Sequence, residues 1–239
     1  MLPNTLDLRA KSPPIFGVKS YGEDMGQQGW RSLDEQTIIA NLILESSPCH
    51  ALDIGCGSGG PSLSLVNRTG CRLTGVDAEV TGIERAGQQA IAQSLSQQAR
   101  FEIADCSERL PYPDGAFDVI ICIDAVLHLK DRFAALADWC RLLRPQGRVI
   151  FTDAAVVTGS ISIEELTIRA SQGPFLLVPP GLNEEAVRAS GLVLRRAKIE
   201  LAQLPRLPRD GTSRASAGPS ICRKRRARNG SLAGSAFLQ

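Results

Sequence analysis

From residue 50 onward the chain alternates short apolar, β-branched runs with longer amphipathic stretches, and each of the first five runs ends at or beside an aspartate. These runs are "HALDIG", "CRLTGVD", "ARFEIADC", "FDVIICID" and "GRVIFTDA", bearing Asp53, Asp77, Asp105, Asp124 and Asp153; "LVLRRAKIEL" is a sixth. Such alternation predicts βαβ units and hence an α/β, doubly wound, mostly parallel Rossmann-like sheet with helices on both faces. In open sheets of this kind ligands bind at the carboxyl ends of the strands, so a carboxylate placed there faces a crevice rather than the core. Between the runs, "PSLSLVNRT", "TGIERAGQQAIAQSLSQQ" and "RFAALADWCRLLR" carry helical spacing. Residues 34–46 read as an earlier helix with Asp34 as a cap or first-turn acid.

The 239 residues, 43% hydrophobic and 22% charged, suit one globular unit. No apolar run approaches the roughly 20 residues that cross a bilayer, and the first residues lack a signal peptide's apolar middle. The expectation is a cytoplasmic protein with no membrane segment. Seven cysteines, at 49, 56, 71, 106, 122, 140 and 222, form no C-x-x-C pair, and His50 and His128 are the only histidines. This predicts reduced, mostly buried thiols and no metal site.

After the first run comes "LDIGCGSGG" (52–60), in which Gly55, Gly57 and Gly60 satisfy the spacing G-x-G-x-x-G. Glycines let a backbone approach a ligand closely, and Pro61 suits the first turn of a following helix, whose N–H groups point outward. Asp77, 22 residues after Gly55, is placed to grip ribose hydroxyls, which keeps a nicotinamide dinucleotide in play. Against that reading, Asp53 stands two residues before the first glycine, where an apolar residue is usual in dinucleotide folds. Asp105 in "ADC" offers an acceptor for an exocyclic adenine amine.

Taken together, "ALDIGCGSG" (51–59), "GVDAE" (75–79), "ADCSERLPYPDGAFDVI" (104–120), "IDAVLHLKD" (123–131) and "LLRPQGRVIFTD" (142–153) resemble the class I S-adenosylmethionine-dependent methyltransferases. The likeness is to the small-molecule branch with the ubiquinone-biosynthesis, sarcosine and phosphoethanolamine enzymes. The resemblance implies S-adenosylmethionine as cofactor. It puts Gly55, Cys56 and Gly57 against the methionine part and Asp53 near its amino group. It puts Asp77 on the ribose, Ala78 beside the adenine, and Asp105 and Cys106 at the adenine edge. Ile123, Asp124 and His128 would lie near the methyl group, with His128 a candidate base or substrate-orienting residue. No metal is implied, and the acceptor, a small molecule, is not specified.

The same resemblance frames the rest of the chain. Residues 1–48 read as an N-terminal lid and helix, with Tyr21 and Trp30 in "YGEDMGQQGWRS" able to offer aromatic faces to a cation. Residues 49–204 form the cofactor-binding domain. A cap at 158–181 interrupts it, and Phe175, Leu176 and Leu177 suggest a partly apolar pocket. Residues 205–239 hold eight Lys and Arg against one acid, leaving 19 basic and 24 acidic groups in the body. That tail is expected to be disordered. It could touch nucleic acid or an anionic membrane through "RKRRAR" (223–228), be a solvated tail, or result from a frame change. The family's usual last antiparallel strand is not readable in it. Two alternatives to methyl transfer remain: a nucleotide-dependent oxidoreductase, and a nucleic-acid-binding module on an inactive scaffold.

Overall fold

The structure, a computed structural model, describes residues 33–46, 50–153, 176, 178–197, 199–200, 216–217 and 220–224. The expected lid with Tyr21 and Trp30, most of the cap at 158–181 and the basic residues 225–228 lie outside the described residues.

Along the chain run α1 (Leu33–Leu44), β1 (His50–Ile54), α2 (Gly60–Thr69), β2 (Arg72–Asp77), α3 (Val80–Ala92), β3 (Ala99–Ile103) and β4 (Phe117–Cys122). A short 3-10 turn (Val126–His128) leads to α4 (Arg132–Leu142), β5 (Leu143–Phe151), α5 (Leu182–Ala189) and β6 (Leu192–Arg196). The last strands are β7 (Ile199–Glu200), β8 (Ser216–Ala217) and β9 (Ser220–Lys224). Helix ends follow local chemistry. Asp131 accepts from the Ala134 N–H and Glu79 from the Gly82 N–H, capping α4 and α3. Gly70, at φ 67°, closes α2 with its N–H on the Val66 carbonyl.

Seven strands form one sheet in the order β3-β2-β1-β4-β5-β9-β6, while β7 and β8 pair separately. β1 to β5 run parallel. The pleat sends Val119 and Ile121 of β4 to one face, with Ile39, Leu63 and Leu73, and Ile120 and Cys122 to the other, with Trp139 and Phe151. A sheet buried on both faces explains why these strands read as unbroken apolar runs.

The expectation of a missing last strand is overturned. Ser220–Lys224 lies antiparallel between β5 and β6, with Ile150 opposite Ile221 and Leu194 opposite Cys222. Its sequence, "SICRK", sets two apolar residues side by side and so has no period-2 signal. The open backbone edges of β5 and β6 favour a strand there whatever its composition.

Candidate functional site

The carboxyl ends of β1 to β4 bring together Asp53, Gly55, Cys56, Gly57, Asp77, Ala78, Asp105, Cys106, Ile123 and Asp124. The loop after β1 turns on three left-handed glycines, Gly55 (φ 72°), Gly57 (φ 54°) and Gly59 (φ 78°). Four of its amides are engaged within the protein. Gly55 and Cys56 N–H groups donate to the Val76 carbonyl (2.8 and 3.1 Å), and that of Gly59 donates to the Cys56 carbonyl (3.0 Å). The Gly57 N–H donates to Asp77 Oδ2 at 2.9 Å. A loop that cradles a pyrophosphate keeps such groups turned outward for the phosphate oxygens; here four of them are turned inward.

Asp77 thus ties two tips together. Its Oδ1 accepts from the Glu79 N–H at 2.9 Å. A carboxylate has about four acceptor positions, so roughly two remain for hydroxyl groups. β3 lies alongside, with the Ala104 N–H donating to the Asp77 carbonyl at 3.0 Å. Asp105 is held by the Ser107 N–H on its Oδ1 (2.8 Å). Around these acids Ala78, Val80 (50% exposed) and Ile103 (59% exposed) leave apolar surface in the open. That mixture suits a flat heteroaromatic ring with a polyol attached.

Several supports are silent in the sequence. Asp53 is buried and accepts from Ser62 Oγ at 2.6 Å, so it braces the start of α2 beneath the loop. The Phe101 ring fills the space left by Gly59 and Gly75: a Cβ on Gly75 would lie 2.5 Å from that ring and 2.9 Å from Cys56 Sγ. Asp124 has φ 57°, uncommon for a residue with a side chain. Thr152 secures it, accepting the Asp124 N–H (2.8 Å) and donating to its Oδ1 (3.0 Å). Ile123 is buried in the core face that also holds residues of α1 and α2. His128, last in the 3-10 turn, is exposed, and its N–H bonds the Ala125 carbonyl at 3.0 Å. Asp153 is buried in an ion pair with Arg132. Among the described residues no His, Cys, Asp and Glu cluster could hold a metal ion.

The surroundings of Cys56 and Cys106 disfavour the thiolate form. Burial pushes Cys56 well up, with the Asp53 and Asp77 charges adding to it. Cys106 is pushed up to about 12, chiefly by burial. A raised thiol pKa favours the neutral form in the folded state. The resulting stability is complete below the ordinary thiol value of about 8.5 and is lost as pH rises toward the folded value. Native protein is therefore expected to resist iodoacetamide at Cys56 and Cys106 at pH 8, read by mass spectrometry, and to lose thermal stability above about pH 9. Rapid labelling of both at pH 8 would contradict this.

Comparison with known proteins adds the following. A family profile described as a methyltransferase domain matches residues 52–151. The chain is 30% identical over 153 residues to 27-O-demethylrifamycin SV methyltransferase of Amycolatopsis mediterranei, covering 60% of this chain and 56% of that protein. It is 32% identical over 190 residues to methyltransferase GfsG of Streptomyces halstedii, covering 80% and 63%. The chain therefore spans less than two thirds of these relatives. Among solved structures, a candidate sarcosine dimethylglycine methyltransferase of Galdieria sulphuraria has a TM-score of 0.66 at 18% identity, covering 88% of this chain and 93% of that one. The [4+2]-cyclase SpnF is similar at TM-score 0.65 and 18% identity, covering 86% of each chain. The fold by itself is thus shared by proteins of different chemistry.

Proposed function

We propose that the protein transfers a methyl group from S-adenosylmethionine to a small-molecule acceptor, a reading supported by the methyltransferase-domain profile over residues 52–151 and by the methyltransferases to which the chain is similar. The observation that carries this over the dinucleotide reading is the state of the glycine loop. Its amides at 55, 56, 57 and 59 are satisfied inside the protein, and the neighbouring strand tips end in Asp53, Asp77, Asp105 and Asp124. Acidic tips and engaged amides oppose a pyrophosphate and suit a cation attached to adenosine.

In this reading Asp77 holds the ribose through its two remaining acceptor positions. Asp105 and Cys106 border the adenine edge beside Ala78, Val80 and Ile103. Gly55, Cys56 and Gly57 let the backbone lie close to the methionine part, and Asp124 and Ile123 bound its far end. Asp53 acts on the amino group from beneath the loop. The cofactor supplies a sulfonium methyl that is already activated, so the chain's task is to hold the nucleophile in line and to take its proton where it has one. His128 is the exposed imidazole on the turn next to Asp124 and is assigned the proton. Tyr21 is retained as a cofactor contact from the N-terminal segment. Cys56, Cys71, Cys106, Cys122 and Cys140 are joined in no disulfide, which fits a reducing compartment such as the cytoplasm.

Calorimetry with S-adenosylmethionine, S-adenosylhomocysteine and NADH tests the proposal. The first two should bind and the third should not; saturation by NADH alone would overturn it. Labelled-methyl transfer would then be measured for 27-O-demethylrifamycin SV, the compound in one relative's name, beside phosphoethanolamine. With an acceptor in hand, His128→Asn should lower kcat on the order of 100-fold and flatten the pH–rate profile, with cofactor affinity unchanged. An unaltered profile would remove His128 from the chemistry. Since Ser220–Lys224 is a strand of the main sheet, a nucleic-acid role of the basic residues is best tested by truncation after Lys224.

A further inference from the structure

Arg132 and Asp153 form a buried ion pair, each side chain 4% exposed. Taking two charges out of water is costly unless their remaining polar atoms find partners, and apolar packing in the same space is often as stable. Such a pair therefore raises the question of what its geometry holds in place. Arg132 Nη1 donates to Asp153 Oδ2 and, at 2.8 Å, to Asn183 Oδ1. Its Nη2 donates to Asp153 Oδ1 at 3.5 Å and to the Leu176 carbonyl, while Asn183 Nδ2 donates to Asp153 Oδ2 at 2.7 Å. The start of α4, the end of β5, the start of α5 and the backbone at Leu176 thus meet on one guanidinium. An ammonium could not replace that rigid fork.

Leu176 is held from its other side as well. Its N–H donates to the Leu127 carbonyl at 2.8 Å, inside the turn that ends in His128. The chain of bonds runs from Asp153 and Asn183 through Arg132 to the Leu176 carbonyl, then from the Leu176 N–H to the turn. We propose that Arg132 is a positioning residue: through Leu176 it fixes the Val126–His128 turn and so aims the His128 imidazole at the crevice. This rests on the methyl-transfer reading only for what His128 does once aimed.

The test exploits the fact that the chain has two histidines, His50 and His128. His50 lies at the opposite end of the strands, its N–H on Asp118 Oδ2 and its Nε2 beside Thr74 Oγ1, and serves as an internal control. With ring-labelled histidine, NMR of the full chain would be compared for wild type, Arg132→Lys and the double variant Arg132→Met with Asp153→Leu. The double variant leaves no buried charge unpaired and so guards against loss of the fold. In both variants the His128 ring signals should move or broaden beyond their linewidth while those of His50 stay in place. S-adenosylhomocysteine affinity should stay within twofold. The amide of Leu176 should exchange at least tenfold faster. His128 signals that coincide with wild type in the double variant would overturn the proposal, as would equal shifts at His50, which would mean general repacking. Failure of the methyl-transfer reading would appear separately, as absence of S-adenosylhomocysteine binding in wild type.

Discussion

Replacing Asp77 with alanine is expected to weaken S-adenosylhomocysteine binding by roughly 100- to 10,000-fold, measured by calorimetry. Two charge-assisted hydrogen bonds to ribose hydroxyls would go, each contributing about 1.5–3 kcal/mol, and a tenfold change in Kd corresponds to about 1.4 kcal/mol. The protein should also lose stability, because the same carboxylate accepts the Gly57 and Glu79 N–H groups at 2.9 Å each. Stranding those donors costs about 1–3 kcal/mol, or several degrees in Tm. Asp77→Asn is an intermediate case. Its amide has the shape of the carboxylate but sets an NH2 against one of the two backbone donors, so stability and affinity should both fall, each by less than in Asp77→Ala. A Kd within threefold of wild type in Asp77→Ala would remove this residue from the cofactor site.

The second large effect belongs to Gly55. A side chain there meets two obstacles: φ is 72°, and its Cβ would lie 2.5 Å from the Ala125 Cβ. Left-handed backbone with a Cβ costs about 1–2 kcal/mol and overpacking a tight core about 1–3 kcal/mol. Gly55→Ala should therefore destabilise by about 2–5 kcal/mol, a Tm drop of roughly 5–15 °C at this chain length. Because the clash is between two methyl carbons, Ala125→Gly in the same molecule should recover the packing part and leave the backbone part. Thermal denaturation of the two single variants and the pair would yield a coupling energy of about 1–3 kcal/mol. Strict additivity would mean that the loop relaxes elsewhere. Since Ala125 follows Asp124 and precedes the turn with His128, the single variant should also lower turnover at saturating cofactor.

The succession of strands along the chain and the residues at their tips are readable from the alternation of apolar runs, because a sheet buried on both faces demands continuous apolar sequence and places its polar residues at the ends. Asp53, Asp77, Asp105 and Asp124 were found this way, and the structure puts them on neighbouring tips. The strand at Ser220–Lys224 is not, since "SICRK" offers neither an unbroken apolar run nor an alternating one, and here main-chain pairing to both neighbours decides. The supports of the site were equally silent. Phe101 under Gly59 and Gly75, Thr152 on Asp124, and Arg132 with Asp153 and Asn183 are contacts between residues 21 to 51 positions apart. No local pattern encodes them.

Sequence alone thus determined the layered sheet, the bend of glycines after the first strand and the row of acids along one rim, because each depends on residue type at short spacing. Only the tertiary structure decided how those groups are occupied: the glycine loop's N–H groups turn inward to Val76, Cys56 and Asp77, Asp53 is sealed against Ser62, and Asp153 is neutralised by Arg132. Hydrogen-bond partners are set by how strands and helices register across the fold, and that register is a property of the assembled chain rather than of any stretch of it.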